Sequence, residues 1–189
     1  MSSHNGQPDV IPMASAFGGH SQIAHSPIAA SQTFEIGDIL QIASAQLKIS
    51  TDGIGAEGAS NVVSGILIAA EPARIQPANS TSKTANTLVA YYRMNVGDLV
   101  AAYRFSTDGA GTAANVDATT LRGKPVGFVI DGSGNWFADT AATKKLGYVD
   151  KIFGLTTTGA GLSRVEDFTS TALTAGTFVL GIRIARDIL

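Results

Sequence analysis

Few residues in this chain could do chemistry, and they are poorly placed for it. The sequence of 189 residues holds three histidines and no cysteine. His4, His20 and His25 all fall near the N-terminus. His20 and His25 stand five apart, a spacing a metal finger tolerates, but no cysteine or carboxylate partner lies near them; polar contacts along a docked segment are the simpler reading. A Ser-His-Asp arrangement would have to fold this terminus back over the rest of the chain, because no histidine occurs after position 25. The lack of cysteine removes disulfides, thiolate zinc sites and cysteine nucleophiles.

The carboxylates point to turns. Asp38, Asp52, Asp98, Asp108 and Asp131 each adjoin a glycine, as Gly-Asp or Asp-Gly. Two of them converging could serve as general acid and base. An Asp beside a Gly is also what a tight turn needs: glycine supplies positive φ, and the carboxylate bonds nearby backbone N–H groups. Turn duty accounts for each of the five alone. The stretch DGSGNW (131–136) has the look of a phosphate loop but lacks the third glycine of a dinucleotide fingerprint and the lysine of a P-loop, so it reads as a hairpin turn. Neither G-x-S-x-G nor H-E-x-x-H occurs. Tyr91, Tyr92, Tyr103, Phe105 and Trp136 are interleaved only with Arg93 and Arg104, too little positive charge for a base-stacking platform, and read as core. Asn79-Ser80-Thr81 fits a glycosylation acceptor but reads as loop. The sequence therefore predicts no catalytic, cofactor-binding or metal-binding residue, and no enzyme.

Composition narrows the partners. A net charge of −2 and a pI near 5.8 argue against nucleic acid or an anionic membrane as the target. No apolar run approaches the roughly 18 residues of a spanning helix, and no basic region followed by an apolar stretch opens the chain, so a soluble protein without a signal peptide is expected. Charged residues make up 15%, against about 25% in an ordinary globular chain. A surface largely covered by other chains would explain the shortfall.

The elements that must position these residues are strands. FEIGDIL (34–40) returns as MNVGDLV (94–100), LKISTDGIG (47–55) as YRFSTDGAG (103–111), and SGILIAA (64–70) as VGFVIDG (126–132). The offsets are 60, 56 and 62, so length changes sit between the landmarks, as in loops. Two related strand-turn-strand units are expected over 34–71 and 94–132, with Gly37, Asp38, Gly97 and Asp98 in equivalent turns and Asp52, Gly53, Asp108 and Gly109 in equivalent hairpins. LVAYYRM (88–94), YVDKIFGLTT (148–157) and GTFVLGIRI (176–184) read as further strands, the last alternating Phe178, Leu180, Ile182 and Ile184 on one face. Short helices are expected at Asp139–Gly147, which has an N-cap Asp and a C-terminal Lys-Lys-Leu-Gly, and at Asp117–Arg122. Residues 1–33 differ from the rest: Pro8, Pro12, Pro27 and Gly18-Gly19 break any period, yet the segment carries Val10, Ile11, Met13, Phe17, Ile23 and Ile28. It reads as an extended arm that orders against another subunit and is dispensable for folding. The fold expected is all-β, a small barrel or sandwich of residues 34–189 with an internal duplication, an N-terminal arm and one or two short helices.

This cysteine-free chain, with its Gly-Asp-aliphatic strand starts, Asp-Gly hairpins, GILIA strand and closing FVLGIRI strand, resembles the capsid decoration (cement) proteins of tailed phages over roughly Phe34 to Leu189. The resemblance implies a non-enzymatic virion protein on the capsid exterior, made in the host cytoplasm. It would clamp neighbouring major capsid subunits as a dimer or trimer, without cofactors, nucleic acid or membrane. The alternatives are another virion component, such as a tail or head-fibre module, and a β-rich carbohydrate-binding module.

Overall fold

The computed structural model describes residues 9–14, 22–51, 65–74, 81–158 and 161–185. In chain order these form β1 (Val10–Ala14), β2 (Gln22–Pro27), β3 (Ile39–Ala43), β4 (Gln46–Ile49), β5 (Gly65–Ala69), β6 (Leu88–Asn95), β7 (Leu99–Ala102), β8 (Phe105–Ser106), α1 (Ala118–Leu121), β9 (Pro125–Ile130), β10 (Trp136–Asp139), β11 (Gly147–Thr158), β12 (Gly161–Glu166) and β13 (Phe178–Ile184). The chain is all-β, with one helix of four residues among the described residues.

The strands make two sheets. One runs β1-β7-β13-β11-β9-β10-β8, with β12 also paired to β11; the other runs β2-β6-β5-β3-β4. All neighbours are antiparallel except β10 and β8. The five-stranded sheet is rolled until Ile28, just past β2, meets Leu47 of β4 in a single parallel bridge. It does not close into a barrel, and the architecture is a sandwich of two sheets.

Alternation along the strands gives the molecule two cores. In β3, β5 and β6 one set of side chains (Leu40, Leu67, Val89, Tyr91) points into the rolled sheet, where Ile28, Phe34 and Leu47 complete the packing. The alternate set (Ile39, Ile66, Ile68, Met94) faces the seam between the sheets and meets Val10, Val100, Trp136, Phe178, Leu180, Ile182 and Ile184. The strand GILIA is apolar without interruption because both of its faces are covered.

The N-terminal segment is part of this fold, which corrects the reading of a detachable arm. β1 pairs with β7 and β2 with β6, so residues 9–14 and 22–27 add one strand to each sheet of their own chain. Val10 lies in the seam and Ile28 in the rolled sheet, both fully buried. Asp9 fixes the entry. Its carboxylate, itself buried, takes Arg104 Nε at 2.8 Å and the Trp136 N–H at 2.7 Å, while its carbonyl accepts from Tyr103 N–H. Pro12 sits inside β1 and Pro27 ends β2 without preventing either strand, because an edge strand needs ladder bonds on one side only.

Asp139–Gly147 is not a helix. Asp139 ends β10, and its carboxylate accepts from Gly109 N–H at 3.0 Å and Ala141 N–H at 2.5 Å. The chain then crosses β9 so closely that a Cβ on Gly127 would lie 1.9 Å from the Lys144 carbonyl oxygen. Leu146 N–H donates to Val126 O, and pairing with β9 overrides a weak, nine-residue helical signal. The second expected helix exists as α1, with Asp117 accepting from Thr119 N–H as its N-cap.

Candidate interaction surface

The repeated phrase is a turn with all of its polar groups engaged. Gly37 has φ +90° and Gly97 φ +92°, the left-handed third position of a type II turn. In the first copy Asp38 N–H donates to Glu35 O, and the Asp38 carboxylate accepts from Glu35 N–H at 2.7 Å. In the second, Asp98 N–H donates to Asn95 O, and the Asp98 carboxylate accepts from Asn95 N–H at 2.8 Å. Each turn then docks on a neighbouring strand by two bonds: Gly37 N–H to Ala69 O with Ala69 N–H to Asp38 O, and Gly97 N–H to Ile184 O with Ile184 N–H to Asp98 O. Phe34 and Met94 are buried, while Ile36 and Val96 at the turn tips are exposed.

The similarity ends beyond the turn. β5 receives the first turn and pairs with β3, but β9 pairs with β10 and β11, and the strand that receives the second turn is β13. The third landmark of the sequence repeat therefore matched strands with different duties. Asp52 and Gly53 lie outside the described residues. Gly109 has φ +74°.

The four carboxylates singled out by sequence that lie among the described residues, Asp38, Asp98, Asp108 and Asp131, all accept from backbone N–H groups. Asp108 accepts from Ser106 Oγ at 2.7 Å, Ala110 N–H at 2.9 Å and Thr112 N–H at 3.3 Å; the Thr112 and Ser106 hydroxyls lead the causes that hold its pKa far below the usual carboxylate range. Asp117 is lowered chiefly by the Thr119 hydroxyl. For Asp131, burial pushes the pKa up. The Asn135 side chain, the Asn135 and Ser133 N–H groups and the charge of Arg104 outweigh burial, and the net shift is down. Asp131 thus occupies the N–H groups of Ser133 and Asn135, at 2.8 Å each, that a phosphate would need. Among the described residues no group of three or more His, Cys, Asp or Glu could hold a metal. Two clefts, of about 380 and 320 Å³, are lined mainly by threonine, lysine and aliphatic groups, and the one aspartate there is the α1 cap, Asp117.

What the geometry does bring together is an uncharged strip. The β2–β6 register sets Ile23 opposite Tyr92, His25 opposite Ala90 and Pro27 opposite Leu88, so these six share the outer face of the rolled sheet. Farther along the same face Met94 enters the buried seam. Beyond the seam the face is open: Ile23 is 57% and Leu88 62% exposed, and His25 is exposed as well. No Asp, Glu, Lys or Arg belongs to the strip. Of the six apolar residues expected to anchor the N-terminal segment elsewhere, Ile23 alone is both described and exposed. Val10 and Ile28 serve the chain's own cores, Ile11 and Met13 are half-buried in or beside the β1–β7 ladder, and Phe17 lies outside the described residues. Leu88 was legible only as a strand residue; pairing with β2 is what puts it on the same face as Ile23, at the other end of the strip.

Comparison with protein-family models, curated proteins and solved structures finds no match.

Proposed function

We propose that this chain is a structural virion protein that decorates a phage capsid and stabilises it by clamping neighbouring major capsid subunits. The observation that carries the reading is the uncharged strip with Ile23 and Leu88 at its ends. Each large apolar side chain taken out of water there contributes about 1.5–3 kcal/mol. On a capsid lattice many such weak contacts act together, and a modest strip suffices where neighbouring copies reinforce one another. The low charge of the chain and the use of Asp38, Asp98, Asp108, Asp117 and Asp131 as turn and cap ligands support a scaffold whose work is contact. The sequence resemblance to decoration proteins supplies the class of partner. In this reading the partner is the major capsid protein.

Cosedimentation of the purified chain with expanded heads that lack it tests this. The wild-type chain should pellet with the heads and saturate. Leu88→Lys, which places a charge in the strip at an exposed position without entering either core, should lower the affinity at least about tenfold. Failure of the wild-type chain to bind, or equal binding by Leu88→Lys and Ile23→Lys, rejects the assignment.

A further inference from the structure

Sheet edges are open templates for another strand, and most edges of this molecule are blocked. β1 carries Pro12 and a register shift between Pro12 and Ala14. β2 ends in Pro27 and is followed at once by the Ile28–Leu47 bridge to β4, the opposite edge of its sheet. β8 is two residues long. β12 is different: six residues, GLSRVE, with no proline and, among the described residues, β11 as its one partner. Two of the most exposed large apolar side chains flank its end, Val165 at 59% and Phe168 at 60%.

Backbone parity states which groups that edge offers. In an antiparallel ladder successive residues turn their N–H and C=O alternately toward and away from the partner. Asp167 N–H donates to Ile152 O on the β11 side, so the odd-numbered residues of β12 face β11. Leu162, Arg164 and Glu166 then direct their backbone groups to the open edge.

We infer that the open edge of β12 pairs antiparallel with β12 of a second copy of this chain, about a two-fold axis at Val165. The parity leaves only a few registers for such a pair, because outward residues must meet outward residues. An axis at Arg164 would set the two arginines opposite each other, which is unfavourable. An axis at Val165 sets Arg164 opposite Glu166 of the second copy, and the symmetry makes that opposite-charge pairing twice. Glu166 is already oriented, its carboxylate 3.1 Å from Arg122 Nη1 and 3.7 Å from Lys151 Nζ. Val165 meets its own symmetry mate as a non-hydrogen-bonded pair, the closer of the two pair types, so this exposed side chain is covered. This is an isologous contact, which closes at two copies. It uses neither Ile23 nor Leu88, so it stands whether or not the chain binds a capsid.

The test needs only the full chain in solution. Sedimentation equilibrium should give twice the chain mass at high concentration. Arg164→Pro removes an N–H that points away from β11, so the hairpin persists while self-association weakens about tenfold or more. Arg164→Glu faces glutamate with glutamate twice and should weaken it likewise, and Arg164→Lys should restore most of it. A second measurement is independent of these variants: the chain has no cysteine, so Val165→Cys introduces a single thiol. The Cα separation of a non-hydrogen-bonded pair, about 4.5 Å, lies in the range a disulfide spans. Val165→Cys should oxidise to a covalent dimer far faster than Ile36→Cys, which is exposed but remote. A wild-type chain that stays monomeric at every concentration overturns the inference. So does an Arg164→Pro chain that folds and associates like wild type, or a Val165→Cys chain that cross-links no faster than Ile36→Cys.

Discussion

Asp38 and Asp98 perform the same task in the two sheets: each carboxylate reaches back three residues to the N–H of the turn's first residue, at 2.7 and 2.8 Å. Each aspartate also lends its carbonyl to the neighbouring strand, Ala69 in one case and Ile184 in the other. The short phrase thus converts a type II turn into the first ladder rung of a strand, and it recurs because each sheet needs one such entry.

That equivalence predicts matched mutational costs. Gly37→Ala and Gly97→Ala force a side chain into positive φ and should each destabilise by about 1–3 kcal/mol. Asp38→Ala and Asp98→Ala leave a partly buried N–H without its acceptor and should each cost about 1–3 kcal/mol. Urea unfolding of the four variants should show lower midpoints with unchanged slopes. A large loss at one turn with none at the other would contradict the shared geometry.

The N-terminal strand should be needed for stability. Asp9→Ala removes the acceptor for both Arg104 and the Trp136 N–H, and hydrogen bonds to charged groups are worth about 1.5–3 kcal/mol. Val10→Ala empties part of the seam and should cost about 1–3 kcal/mol. Deleting residues 1–14 removes both and should abolish cooperative unfolding or lower the Tm by more than either substitution. A truncated chain with an unchanged Tm would return this segment to the status of a detachable arm.

Acid should expose the turn ligands. Asp108, Asp117 and Asp131 all have lowered pKa values in the folded chain. A carboxylate depressed by folding contributes stability that is present above its unfolded value, near 3.9, and is lost as pH falls through its folded value. The Tm of the wild-type chain should therefore drop steeply below about pH 4. Asp131→Asn, which cannot ionise, should be less stable than wild type at pH 6, with the gap narrowing toward pH 2. A gap that stays constant over that range would mean the carboxylate charge contributes nothing.

Local chemistry was legible in the sequence, and long-range pairing was not. The Gly-Asp turns, the DGSGN hairpin loop, the Asp117 cap and the alternation of Phe178, Leu180, Ile182 and Ile184 follow from residues within a few positions of one another. The receiving strand of the second turn is β13, eighty-odd positions downstream, and GFVI and FVLGIRI read equally well as its partner until the ladder is seen. Nothing near Asp9 marks it as the buried ligand of Arg104 and Trp136. The helix expected at Asp139–Gly147 had the right end signals, but Gly127 let the segment lie flat on β9. Ile23 stood out by composition; its surface required Leu88, brought onto the same face opposite Pro27 by the β2–β6 register.

The most direct measurement of the central claim is the temperature at which expanded heads lacking this chain rupture and release DNA, recorded before and after the purified protein is added. Capsid stabilisation predicts a rise in rupture temperature that saturates with added protein and is largely lost with Leu88→Lys. Heads that rupture at the same temperature with and without saturating wild-type protein would contradict it.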